Sequence, residues 1–92
     1  MRIRWTKPAA EDLQGICDYI SDHEGLDAAR KVALHIYEAL SSLTRFPNRG
    51  RVGRKRGTRE MVFQGLPYLG VYRIVGDVIE INRILHGAQR WP

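Results

Sequence analysis

The hydrophobic pattern of this chain changes period once, at Pro47, and that change limits the folds open to it. Before Pro47, apolar residues recur at helical spacing. Leu13, Ile16, Cys17 and Ile20 form one stripe, and Ala29, Val32, Ala33, Ile36, Leu40 and Leu43 form a second. After it come short alternating runs separated by glycine-containing turns. Helices gathered in one half and strands in the other specify an α+β domain, not a repeating βαβ unit.

The first element is brief. Ile3 and Trp5 alternate with Arg2, Arg4 and Thr6, as in a half-buried strand. Thr6 is suited to cap the next helix, Pro8 fits its first turn, and Glu11 and Asp12 favour its positive end. His23-Glu24-Gly25 interrupts the stripe, and Asp27 is a candidate cap for the second helix. That helix should run to about Phe46, because the residue before a proline disfavours helical backbone. Asn48–Gly57 has no period and reads as a loop. Three strands follow: Thr58–Gln64, Leu69–Val75 and Val78–Leu85, with Gly76-Asp77 as a two-residue hairpin turn. The expected fold is strand–helix–helix–three-stranded antiparallel meander, with a helical hairpin packed on one sheet face and the 92 residues forming one domain.

Charge is concentrated. The chain carries a net +5, yet residues 1–44 carry −2, residues 45–60 carry +6 and the remainder +1. The basic segment holds Arg45, Arg49, Arg51, Arg54, Lys55, Arg56 and Arg59 against Glu60. Such a patch suits a polyanionic or acidic partner; a solvated loop that aids solubility is the plainer reading. No apolar run approaches bilayer length, and the start of the chain lacks the apolar core of a secretory signal, so a cytoplasmic location is expected. The single Cys17 lies on a helical stripe and reads as a buried small hydrophobe.

Several chemistries lack their residues. There is no Cys/His set at zinc-ligand spacing, Gly50, Gly53 and Gly57 lack the ending of a phosphate-binding loop, and no Gly-x-Ser-x-Gly elbow occurs. His23 and His35 read as structural or surface residues. The last strand is more suggestive, because it carries Arg83 and reaches His86 before breaking at Gly87 and continuing to Gln89-Arg90-Trp91-Pro92. Residues three apart on a strand face opposite sides and lie roughly 10 Å apart, so Arg83 and His86 share a site only if the strand turns near Leu85. Arg83 has the parity of Ile79 and Ile81. A histidine there could move a proton, and Arg59, Arg73 and Arg83 could grip phosphate or stabilise a pentacovalent transition state. The structural alternative pairs Arg73 and Arg83 with Glu80 or Glu60 across the sheet and leaves His86 to satisfy a backbone carbonyl.

Taken in order, Ala9-Ala10-Glu11-Asp12-Leu13 with Ile16 and Tyr19-Ile20, Phe46-Pro47, Gly57-Thr58-Arg59-Glu60, Pro67-Tyr68, Val71-Tyr72-Arg73-Ile74, Gly76-Asp77 and Ile81-Asn82-Arg83-Ile84-Leu85-His86-Gly87 resemble the RelE/ParE superfamily of bacterial toxins. The resemblance covers nearly the whole chain. It implies a type II toxin neutralised by a small, acidic, partly disordered cognate antitoxin, with no cofactor or metal. The basic residues Arg49, Arg51, Arg54, Lys55, Arg56 and Arg73 would then bind a partner or phosphate. RelE-like members cut mRNA on the ribosome; ParE-like members poison DNA gyrase. Residues 45–58 contain no Asp, Glu or His, and the strand after the loop carries Met61 and Phe63 where RelE carries lysines. Tyr72-Arg73 and the ending Arg83-Ile84-Leu85-His86 look more like ParE. In the RelE-like alternative, the resemblance would make Arg59, Arg83 and His86 catalytic. A basic nucleic-acid-binding module without toxicity is the third reading.

Overall fold

The computed structural model describes residues 1–87 and Gln89; Arg90, Trp91 and Pro92 of the C-terminal segment fall outside the described residues. The elements run β1 (Arg2–Trp5), α1 (Lys7–Glu24), α2 (Leu26–Ser41), a 3₁₀ turn (Ser42–Thr44), β2 (Arg51–Val52), β3 (Arg59–Val62), β4 (Tyr68–Val75) and β5 (Val78–His86). They form a helical hairpin on one face of a five-stranded sheet ordered β1-β5-β4-β3-β2.

The α+β expectation and its helical hairpin hold, but the sheet is wider than the predicted meander. β1 joins β5 in parallel, with Ile3 opposite Ile79 and Trp5 opposite Ile81. A two-residue β2, inside the segment expected to be loop, pairs antiparallel with β3. Neither pairing breaks an alternation rule; both are long-range matches that a local pattern leaves open.

Thr6 caps α1 as expected, its hydroxyl accepting from the Ala9 N–H at 3.3 Å. α1 continues through His23 and Glu24, so His23 lies in its last turn and not in a loop. Glu11 and Asp12 lie beyond the first turn, and the residue preceding α2 is Gly25, with Asp27 inside the first turn. α2 ends at Ser41, short of Phe46. There the Ser42 and Thr44 hydroxyls donate to the carbonyls of Ala39 and Ser41, at 2.6 and 2.9 Å, and tighten the chain into a 3₁₀ turn.

The main core joins Ala9 and Leu13 of α1, Ile36 and Leu40 of α2, and Met61, Phe63, Tyr72, Ile79, Ile81 and Ile84 of the sheet. Cys17 is half-buried against it. Burying each such large aliphatic side chain is worth about 1.5–3 kcal/mol. Leu69, Val71 and Leu85 form a smaller cluster on the opposite side of the sheet. A bulge divides β5: Tyr72 faces Ile81 but Val71 faces Arg83, so Asn82 is the extra residue. It overturns the expected parity. Ile84, not Arg83, rejoins the face of Ile79 and Ile81.

One tyrosine ties the basic segment to this core. The ring of Tyr72 is fully buried, and its hydroxyl accepts from Gly50 N–H at 2.9 Å and donates to the Pro47 carbonyl at 2.7 Å. A Cβ on Gly50 would lie 2.7 Å from that ring, so only glycine fits the close approach.

Candidate functional site

The sheet face turned away from the helices is cationic, and buried carboxylates organise it. Glu80 lies at its centre, 5% exposed, between Arg4 of β1 and Arg73 of β4 in direct cross-strand register. Arg73 Nε donates to Glu80 Oε1 at 2.7 Å, Asn82 Nδ2 donates to the same oxygen at 2.8 Å, and Arg4 pairs with Oε2. The Arg73 and Asn82 bonds outweigh burial and hold the Glu80 carboxyl below its ordinary pKa.

Glu60, 2% exposed, plays the same part for the basic segment. Arg51 Nη2 donates to it at 3.1 Å, the Arg54 N–H at 3.0 Å, and the Arg54 guanidinium lies 3.4 Å away. Burial pushes its pKa up, but the Arg54 backbone bond and the Arg51 and Arg54 guanidiniums outweigh it, so the net shift is downward.

A third carboxylate comes from the helical layer. Asp12 accepts from Arg83 Nε at 2.7 Å, Arg83 Nη2 at 3.1 Å and the Ile84 N–H at 3.0 Å. This pairing raises the Arg83 pKa, against the opposing effect of burial.

Lys55, Arg56, Arg73 and Arg83 line a cavity of about 440 Å³ on this face, together with Thr58 and Asn82. Across the face Arg4, Arg51, Arg54, Lys55, Arg56, Arg73 and Arg83 oppose Asp12, Glu60 and Glu80, a net of +4. Arginines already held by carboxylates have lost much of the rotamer freedom that an anion would otherwise have to remove. The arrangement can bind phosphate or carboxylate groups. Among the described residues lining the cavity there is no histidine and no carboxylate to serve as general base.

The residues singled out from sequence divide among several places. Lys55, Arg56, Arg73 and Arg83 come together at the cavity, while Arg51 and Arg54 flank it on Glu60. Arg49 turns to Ser42, donating to its hydroxyl at 3.0 Å. Arg59 donates to the Gly50 and Asn48 carbonyls at 2.8 and 3.4 Å, holding the preceding loop. His86 is exposed in a separate groove beside α1, its ring edge-on to Tyr68 with centroids 5.8 Å apart. Thus Arg59, Arg83 and His86 do not converge. The expected pairing of Arg73 with Glu80 is present, whereas Arg83 finds Asp12 instead of Glu60 or Glu80. Asp12 sits near the start of α1 like any helix-end charge, and no local signal links it to a strand 71 positions later.

This fold and this cationic face define a small toxin of the RelE/ParE type. The family model described as "ParE toxin of type II toxin-antitoxin system, parDE" matches residues 3–91, and the chain belongs to that family. It is 43% identical over 91 residues to the protein Y4kP of Sinorhizobium fredii, covering 99% of this chain and 93% of that one. It is also 36% identical over 88 residues to Toxin RelE2 of Caulobacter vibrioides, covering 96% and 97%. A chain of the chromosomal ParDE system of P. aeruginosa superposes with a TM-score of 0.88 at 31% identity, covering 94% of this chain and 95% of the other. A chain of the RelBE2 toxin–antitoxin complex of Mycobacterium tuberculosis gives 0.63 at 26% identity, covering 92% and 95%.

Proposed function

We propose that this type II toxin is a ParE-like growth inhibitor that acts on DNA gyrase and is neutralised by a cognate antitoxin encoded beside it. The observation that carries this reading is the match to the ParE family over residues 3–91. The dispersal of Arg59, Arg83 and His86 supports it, since a nuclease site needs its phosphate-gripping and proton-transferring groups within reach of one phosphodiester. Arg49, Arg51, Arg54, Lys55, Arg56 and Arg73 supply the cationic surface for an acidic partner, antitoxin or target. The toxin–antitoxin complexes among its structural neighbours support an antitoxin partner, and among the described residues no helix is long and apolar enough to cross a membrane. Cytoplasmic action follows from a gyrase target.

One observation favours a second reading. Lys55, Arg56, Arg73 and Arg83 around a single cavity would suit an RNA phosphate, and a relative at 36% identity carries the name RelE2. In that reading the chain is a ribosome-dependent mRNA endoribonuclease with Arg59, Arg83 and His86 as its catalytic groups.

Expression of the chain alone in growing bacteria separates these readings. The gyrase reading predicts arrested growth with stalled replication and intact mRNA, relieved by co-expressing the antitoxin. Codon-positioned mRNA cuts would favour the endoribonuclease. Unimpaired growth from a folded product would leave only a basic nucleic-acid-binding module.

A further inference from the structure

The outer face of α2 is self-complementary in charge. Arg30, Lys31, Leu34, Tyr37 and Glu38 are all exposed and recur at helical spacing, so they form one stripe. It lies opposite the residues that the helix buries, Ala29, Ile36 and Leu40. Leu34 is at its centre and 58% exposed, and Tyr37 is 49% exposed. Trp5 holds the Tyr37 ring in place, with centroids 5.2 Å apart, and leaves half of it open. A single surface leucine needs no explanation; the charges around this one carry the argument.

Successive residues on a helix are turned by about 100°. Around Leu34, Arg30 and Tyr37 therefore fall on one flank of the stripe, and Lys31 and Glu38 on the other. In an antiparallel pair related by a two-fold axis, each flank faces the same flank of the other copy, run in reverse. With the axis at Leu34, Lys31 of each copy meets Glu38 of the other, and Leu34 packs on Leu34. Arg30 meets Tyr37, where a guanidinium can lie over the open part of the ring. No like charges meet. A parallel pair would instead set Arg30 of one copy against Lys31 of the other, which is repulsive.

The partner that Glu38 lacks in its own chain points the same way. It has no lysine or arginine three or four residues away along the helix. Among the described residues, neither Glu38 nor Lys31 joins an ion pair.

We infer that the chain forms an isologous homodimer, with α2 packed antiparallel on α2 about a two-fold axis at Leu34. A 16-residue helix is about 24 Å long, and one face of it falls short of the roughly 800 Å² per partner of a standard interface. The dimer is therefore weak and reversible. α2 belongs to the layer that covers one sheet face, so pairing through it leaves the cationic face of each copy uncovered. One dimer thus offers two cationic faces, turned outward on opposite sides, to anionic partners. The inference goes beyond the gyrase reading and does not depend on it.

Sedimentation equilibrium of the purified full-length chain tests it. The mass should rise with concentration from 10.6 kDa towards twice that value and no further. Lys31→Glu and Glu38→Lys, each alone, should dimerise roughly tenfold more weakly or worse, since each sets like charges against one another. Mixed in equal amounts, the two variants should form a heterodimer at near-parental affinity, because both cross-copy pairs are again opposite in charge. Leu34→Glu should stay folded by circular dichroism and remain monomeric. A parent chain that stays at 10.6 kDa up to on the order of 1 mM overturns the inference. So does a dimer that all three variants leave intact, or a mixture that associates no more tightly than its components.

Discussion

Asp12 on the first helix and Arg83 on the last strand, 71 residues apart, are joined by two hydrogen bonds of 2.7 and 3.1 Å, and the same carboxylate accepts the Ile84 N–H. The contact lies where β1 has ended and β5 continues without it. It closes an edge that would otherwise expose backbone, and it aims Arg83 towards the cationic cavity. Asp12→Ala removes an acceptor used three times, and should cost about 1–3 kcal/mol. For a domain this small that is a fall in Tm of roughly 5–15 °C, measurable by thermal denaturation. Asp12→Ala and Arg83→Ala should be strongly non-additive in a double-mutant cycle; independent effects would contradict the pairing.

That contact also shows where the sequence was readable. The two helical stripes and the hairpin at Gly76-Asp77 stand out because 3.6- and two-residue periods are local. The parallel pairing of β1 with β5 and the Asp12–Arg83 contact span the whole chain, and no local pattern encodes them. The parity assigned to Arg83 failed because the bulge at Asn82 adds a residue that looks like any polar strand residue. At the site, the basic segment was legible as charge. The carboxylates that order it were not, because Glu60 and Glu80 look like ordinary strand polars until their strands are placed side by side.

Tyr72 links the sheet to the segment before β2. Tyr72→Phe leaves the Gly50 N–H and the Pro47 carbonyl without their partner and should cost about 1–3 kcal/mol, with the ring still packed. Gly50→Ala should be the more damaging change, since its Cβ would meet the ring at 2.7 Å and the Glu60 carbonyl at 3.0 Å. Urea denaturation of both variants checks the order.

The pH dependence follows from Glu80 and Glu60. Both carboxyls are lowered in the folded state, by the Arg73 and Asn82 bonds at Glu80, and at Glu60 by the Arg54 and Arg51 bonds acting against burial. The unfolded chain, with glutamate pKa about 4.3, therefore binds the more protons in acid. Their stabilisation is fully present above that value and is lost as pH falls through the lower folded values. Melting temperatures from pH 7 to pH 2 should drop steeply below about pH 4, and the drop should be shallower in Glu80→Gln.

Arg56 lines the cavity and joins none of the Glu60 or Glu80 ion pairs found among the described residues, so replacing it tests the cationic face with little disturbance to the fold. Arg56→Ala should change stability by less than about 0.5 kcal/mol. It should raise the amount of protein needed for growth arrest by roughly tenfold, the equivalent of about 1.4 kcal/mol of lost binding. Undiminished potency would remove this face from target recognition.

Supercoiling of relaxed plasmid by purified DNA gyrase, with the purified chain added at increasing concentration, addresses the proposed target most directly. Dose-dependent loss of supercoiling, reversed by the cognate antitoxin and accompanied by intact mRNA on translating ribosomes, is the predicted result. Full gyrase activity at concentrations that arrest growth, with mRNA cut on the ribosome, would contradict it.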